Sequence, residues 1–213
     1  MALPHLLFVH GWAYDAGIWE PVRSRLGGPA CTVWERGYFG GADEPTPPSG
    51  PYVALGHSFG VMRLLRERPQ GCIGLVSMAG FARFTAAEGF PGAPGRVLDR
   101  MLLRAAADPA AVIADFRARC GAPGTEVHEV FTDRVMEDLR RLRDGDERAS
   151  AAAIGAPVLA LSGGADAIVS AAMAEASFPN AERATLPGAG HLLPSHADWC
   201  APRIAAFCAR LRR

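Results

Sequence analysis

Gly56-His57-Ser58-Phe59-Gly60 reads G-x-S-x-G, and the apolar run Tyr52-Val53-Ala54-Leu55 directly precedes it. Val61, Met62, Leu64 and Leu65 follow at a spacing that suits one face of a helix. This context predicts strand, sharp turn and helix, as a nucleophile elbow requires. Small residues at both ends let strand and helix pass close together, and the serine oxygen then stands at the carboxyl end of a sheet. In a chain with 24 glycines the five residues alone carry little weight. Their meaning depends on what the rest of the chain supplies.

Leu6-Leu7-Phe8-Val9 is a continuous apolar run that ends at His10-Gly11-Trp12, the pattern of a buried parallel strand. Ile18 to Leu26 reads as a helix closed by Gly27-Gly28, and Cys31-Thr32-Val33-Trp34 as a second strand. Residues 35–51 are rich in proline and glycine and predict a loop. Cys72 to Met78, Val158 to Leu161 and Ala184 to Leu186 read as later strands. The last helix carries Ile204, Phe207 and Leu211, with Pro202 expected in its first turn, where a missing N–H costs nothing. Strands alternating with helices predict an α/β fold with a mostly parallel sheet of about six strands. Ligands then belong at the carboxyl ends of the strands.

Residues 80–150 break that rhythm. Val97, Leu98, Met101 and Leu102 form one amphipathic stripe, and Asp108-Pro109 is a helix start continued by Ala111 to Cys120. Val127, Phe131, Val135, Leu139 and Leu142 form another stripe at helical spacing. The expectation is a helical lid over 80–150, inserted in a core made of 1–79 and 151–213. A plain helical subdomain is the bland alternative; long insertions at the active end of a fold are usually functional.

Composition narrows the chemistry. Basic and acidic residues number 22 each, so net charge gives no argument for nucleic acid or an anionic membrane. All basic residues are arginine, which excludes Schiff-base lysine chemistry and a P-loop lysine. Five widely spaced cysteines without a C-x-x-C read as free thiols rather than a disulfide framework or zinc site. The opening residues lack a leader pattern, and no apolar run is long enough for a membrane span, so a cytoplasmic protein is expected.

A serine nucleophile needs a base, and the base needs an orienting acid. Asp166 follows the strand Val158–Leu161 in Ser162-Gly163-Gly164-Ala165-Asp166, where a tight loop delivers a carboxylate to the strand's end. On this residue alone it reads equally well as a turn aspartate. The competing position, Ala79-Gly80, offers no carboxylate; the nearest is Glu88. His191 ends Pro187-Gly188-Ala189-Gly190-His191 after the last strand and is the best base, with His196 as runner-up. His5 and His128 lie in the wrong places, His57 adjoins the serine on a turn whose side chains diverge, and His10 precedes it. The amides of Trp12 and Phe59 are the candidate oxyanion donors, with Gly11 allowing the first to turn inward. Trp12, Phe59, Phe81, Phe84 and Phe116 are candidates to line an apolar pocket, and each reads equally well as core. Trp19 reads as core.

Taken together, His10-Gly11-Trp12, the Gly56–Gly60 motif, Gly164-Ala165-Asp166 and Gly188-Ala189-Gly190-His191 resemble the α/β-hydrolase fold, in family order and over the whole chain. The resemblance implies Ser58 as nucleophile, His191 as base and Asp166 as its orienter. Within that fold the chain looks most like the pimeloyl-[acyl-carrier-protein] methyl ester esterases of biotin synthesis. The features are His10-Gly11-Trp12 with Trp19 shortly after, Ser77-Met78-Ala79-Gly80-Phe81 leading into a four-helix-like lid, and Leu139 to Pro157. That resemblance implies hydrolysis of a methyl ester on a carrier-bound acyl chain, without metal or organic cofactor, and possible contact with acyl-carrier protein. A general carboxylesterase, thioesterase or carbon–carbon hydrolase on the same three residues is the alternative, followed by a non-catalytic binding member of the fold.

There are departures. The family's first hairpin has no counterpart before Leu6, and the stretch from Gly37 to Ser58 leaves no room for a helix. Ala111 and Asp115 stand where two carrier-contacting arginines are expected, although Arg96, Arg100, Arg104, Arg117, Arg119, Arg134, Arg140, Arg141 and Arg143 supply positive charge nearby.

Overall fold

A computed structural model describes residues 3–67, 70–122 and 129–211. Strands β1 (His5–Val9), β2 (Cys31–Trp34), β3 (Tyr52–His57), β4 (Cys72–Met78), β5 (Val158–Gly163) and β6 (Glu182–Leu186) form one six-stranded sheet in the order β2-β1-β3-β4-β5-β6. Every neighbouring pair is parallel, so the predicted sheet is observed. Strand alternation sorts the side chains. Leu6, Phe8, Val53, Leu55, Val76 and Met78 share a cluster with Trp19, Ile204 and Phe207. Leu7, Val9, Tyr52, Ala54 and Leu75 share the opposite one with Val61, Leu64 and Leu65 of α2 (Phe59–Glu67).

The step from β2 back across β1 to β3 has no helix, as expected. A bridge between Glu35 and Asp43 and the bond from Trp34 Nε1 to the Pro45 carbonyl (2.9 Å) hold the loop. α2 covers the sheet face on that side, and its Arg63 guanidinium stacks over Trp34 (5.6 Å) and pairs with Glu44 (2.9 Å).

The expected helix over Ile18–Leu26 is a 3₁₀ turn, Ala16–Trp19, running into α1 (Glu20–Arg25). Asp15 caps the turn by accepting from the Gly17 amide (2.8 Å). The last helix, α8 (Ala197–Arg210), begins earlier than its sequence signals indicate, with no side-chain cap. Pro202 therefore lies inside the helix rather than in its first turn. The lost hydrogen bond is tolerated because Pro202 faces solvent while Cys200, Ala201, Ile204, Phe207 and Cys208 bury the opposite face.

Between β4 and β5 the chain forms α3 (Gly95–Ala107), α4 (Pro109–Arg119), α5 (Thr132–Asp144) and α6 (Arg148–Ala152), and α7 (Ala171–Ser177) follows β5. Asp108 caps α4 by accepting from the Ala111 amide (3.0 Å), with Pro109 in the first turn, as the sequence predicts. Of the third stripe, Val135, Leu139 and Leu142 are buried on α5. Phe131 instead precedes α5 as its cap residue and is partly exposed, its ring under the Arg134 guanidinium. Val127 and His128 lie outside the described residues. α6 spans residues 150 and 151, and its Ala151 packs with the sheet cluster of Leu7 and Val9.

α5 is bolted to the loops that leave β1 and β2. Its Asp138 is fully buried and accepts from Arg36 Nε (2.7 Å), Tyr38 Oη (2.7 Å) and Arg141 (2.9 Å). Arg134 donates to the carbonyls of Gly37 (2.7 Å) and Gly40 (3.0 Å). Trp12 Nε1 donates to the Val135 carbonyl (3.1 Å), and the Phe131 amide to that of Tyr38 (2.9 Å). Among the described residues no helix is long and apolar enough to cross a membrane.

Candidate active site

Among the described residues three that are not glycine have left-handed backbone angles, and all follow strand ends: Ala13 (φ 65°), Ser58 (φ 53°) and Ala79 (φ 49°). Such angles cost about 1–3 kcal/mol each and persist where surrounding structure imposes them. Ser58 is the turn residue between β3 and α2, and its amide donates to the Met78 carbonyl (3.0 Å). The flanking glycines are required by space. A Cβ at Gly56 would lie 2.7–2.8 Å from Val61, and one at Gly60 only 2.2 Å from the Val9 carbonyl oxygen. Strand and helix thus cross at a distance that no side chain tolerates.

His191, in the loop after β6, is fully buried. Its Nδ1 lies 2.8 Å from Asp166 Oδ2 and its Nε2 2.9 Å from Ser58 Oγ. A carboxylate only accepts, so Nδ1 carries the proton and Nε2 receives the hydroxyl's hydrogen. Asp166, just after β5, accepts at Oδ1 from the amides of Ile168 (2.7 Å) and Val169 (2.9 Å). Burial raises the pKa of this carboxyl, but the His191 bond and charge and the two amides outweigh it and hold it below the ordinary value.

A carboxyl depressed in the folded state contributes stability that is present above its unfolded pKa, about 3.9, and lost as pH falls through the lower folded value. Thermal melts below about pH 4 should therefore fall less steeply with acid in Asp166→Asn than in the wild type. The same variant leaves Nδ1 facing an amide that can impose the wrong tautomer, and any turnover that depends on Ser58 is expected to drop by up to about 10⁴-fold.

The other histidines take different places. His196 is exposed and caps α8. His10 is buried, donates from Nδ1 to the Gly11 carbonyl (2.9 Å) and accepts the Arg36 amide at Nε2 (3.0 Å), which shapes the turn after β1. His57 is buried beneath the elbow, its ring 5.0 Å from that of His191.

That turn after β1 abuts Ser58: a Cβ at Gly11 would lie 3.1 Å from Ser58 Cβ. The Trp12 amide makes no backbone hydrogen bond among the described residues. The Phe59 amide opens α2, where an N–H has no intrahelical acceptor.

Ser58 stands on the wall of a cavity of about 210 Å³. Trp12, Phe81, Phe84 and Phe116, four of the five expected lining residues, border it. Phe59 does not: its ring is buried with Met62 in the same apolar cluster as the lining residues but is not on the cavity wall. The sequence reading missed Val97, Leu98 and Met101 of α3, Arg119 of α4 and Ile168. The α3 residues were legible as an apolar stripe, but nothing in the stripe said what it faced. A larger groove, about 470 Å³, lies at the amino ends of β4 and β5 against Leu64, Leu65 and Ile154, away from Ser58. Among the described residues no cluster of His, Cys, Asp or Glu is arranged to hold a metal ion.

No family model matches the chain. It is 29% identical over 205 residues to the biotin biosynthesis bifunctional protein BioHC of Cellvibrio japonicus (strain Ueda107). The match covers 82% of this chain but 41% of that protein, so the chain spans about two-fifths of its relative's length. Among solved structures, an esterase from Exiguobacterium antarcticum superposes with a TM-score of 0.82 at 16% identity, covering 98% of this chain and 92% of that one. A bromoperoxidase from Bacillus anthracis gives 0.80 at 17%, covering 97% and 92%. An enol-lactonase from Burkholderia xenovorans LB400 gives 0.76 at 16%, covering 98% and 92%. With its parallel sheet, its elbow after β3 and these likenesses across nearly its full length, the chain has the α/β-hydrolase fold.

Proposed function

We propose that the protein is a serine carboxylesterase that works through an acyl-enzyme. The observation that carries this reading is the unbroken line of hydrogen bonds from Asp166 through His191 to Ser58, ending at an apolar cavity. His191 Nε2 takes the hydroxyl proton as Ser58 Oγ bonds to the ester carbonyl carbon. The resulting oxyanion is held by the amides of Trp12 and Phe59. His191 then protonates the departing alcohol, and the carbon–oxygen bond to it breaks. A water molecule, deprotonated by His191, repeats the attack and releases the acid and free Ser58. General base and oxyanion contributions are each typically worth about 10² or more in rate.

The preferred substrate is the methyl ester of a carrier-bound acyl chain, as in pimeloyl-carrier methyl ester. The name of the 29% identical relative supports this placement in biotin synthesis. The cavity, about 210 Å³ and lined by Trp12, Phe81, Phe84 and Phe116, suits an apolar acyl chain. Residues 80–150 act as the lid, with α3 and α4 forming the cavity's outer wall. Arg96 and Arg100 border a neighbouring groove that shares Val97, Met101 and Arg119 with the cavity. Among the described residues neither Arg96 nor Arg100 has a carboxylate within ion-pair distance, whereas Arg104 pairs with Asp115 (2.6 Å). That groove is the proposed seat of an acidic carrier protein.

The test compares methanol release from pimeloyl-carrier methyl ester with cleavage of free short-chain esters, thioesters and diketones. Cleavage of free esters with the carrier-bound ester left intact would defeat the narrow assignment and leave the general esterase. Arg96→Glu with Arg100→Glu is expected to raise KM for the carrier-bound ester at least about tenfold, since reversing charge at a docking surface weakens encounter. The effect should shrink at high salt.

A further inference from the structure

His57 has a buried ring with no place in the proton path, yet it touches the residue that occupies the centre of that path. Its Nε2 lies 3.0 Å from the backbone carbonyl oxygen of His191. A carbonyl only accepts, so this nitrogen carries the ring's proton, and Nδ1 is left with a lone pair. Nδ1 is buried and has no hydrogen-bond partner among the described residues. Gly11 closes that side, since a Cβ there would lie 3.0 Å from Nδ1. An unsatisfied buried acceptor is unfavourable, a cost that an apolar side chain in the same space would not incur.

What an apolar side chain would lack is the donor. The His191 carbonyl also receives the Leu193 amide (2.9 Å), which fixes the internal shape of the loop after β6. The His57 bond is different in kind. It crosses from the end of β3, one residue before the nucleophile, to the base 134 residues later. We infer that His57 is a positioning residue: its Nε2–H fixes the His191 backbone relative to Ser58, so that Nε2 of His191 stays in line with the serine hydroxyl.

The ring's charge state fits that duty. Burial, and after it the neighbouring His191, push the His57 pKa down to about 3, so the ring stays neutral when His191 gains a proton. Tyr14 packs edge-on against it at 5.8 Å, and Asp166 and His10 are the other titratable groups whose fields reach it.

The inference rests on the esterase reading for its kinetic consequence, but not for its structural one. Three variants test it. His57→Gln places an amide N–H where Nε2–H stands, His57→Asn is too short to reach, and His57→Met fills the space without a donor. In Asn and Met, kcat for ester hydrolysis is expected to fall about 10- to 100-fold at nearly unchanged KM, the effect of a misplacement on the order of 1 Å. Gln should recover most of it. In histidine-labelled protein, the His191 Nδ1–H resonance shared with Asp166 should broaden or shift in Asn and Met and return in Gln. Wild-type kcat and an unshifted resonance in Asn and Met, or failure of Gln to restore either, would overturn the proposal. If the wild type cleaves no ester, the esterase reading fails, and the resonance alone still decides whether His57 positions His191.

Discussion

Ser58→Ala is expected to lower kcat for ester hydrolysis by about 10⁴- to 10⁶-fold, with little change in substrate affinity. Losing a serine or histidine that acts as one unit with its partners removes nearly the whole advantage of that unit. What survives is binding and the oxyanion donors, which are backbone amides and remain in place. The change also removes few contacts: Ser58 makes its backbone bond to Met78 whatever its side chain. Alanine must still adopt φ near 53°, a strain serine already bears, so the melting temperature should move little. A serine-directed phosphonate followed by mass spectrometry completes the test. Labelling at Ser58 in the wild type and none in the variant supports the assignment, and labelling elsewhere sinks it.

The second large effect is on stability. Asp138→Ala removes the carboxylate on which Arg36, Tyr38 and Arg141 converge. Tyr38 is itself buried, and burial followed by the nearby Asp138 charge drives its pKa well up, so its hydroxyl stays a donor that needs an acceptor. Breaking a buried charge pair by deleting one partner costs about 3–5 kcal/mol. For a domain of this size each 1 kcal/mol moves Tm by about 2–4 °C, so a drop of roughly 6–20 °C is expected in a calorimetric scan. Asp138→Asn, which still accepts from Tyr38, should lose less. A wild-type melting temperature in the alanine variant would show that α5 is held by its apolar face alone.

The residues of the proposed triad were legible because reaction chemistry restricts residue type and the fold restricts position. Ser58, Asp166 and His191 each follow a strand, and a short loop separates His191 and Asp166 from theirs. The six strands were legible for a related reason: short apolar runs bounded by glycine and proline have few other uses. Asp138 was not legible. On α5 it looks like one more charge in Glu137-Asp138-Leu139-Arg140-Arg141, and only the approach of Arg36 and Tyr38, a hundred residues earlier, buries it. Pro202 misled because its local preference for a first turn lost to the burial of Cys200 and Ile204 on either side. His57 was set aside because neighbouring side chains on the elbow diverge. They do, and that divergence is what sends its ring beneath the site to meet the His191 carbonyl. The two amides that brace Asp166 had a faint signature, since aspartate commonly receives amides two and three residues on.

The missing crossover helix between β2 and β3 has an evolutionary consequence. α2 shields one face of the sheet and also begins at the residue after Ser58, so packing and the proposed catalysis draw on the same nine residues. A substitution at Leu64 or Leu65 acts on the sheet packing and on the helix that begins beside Ser58. Under the proposed mechanism, changes along that helix are expected to move thermal tolerance and turnover together.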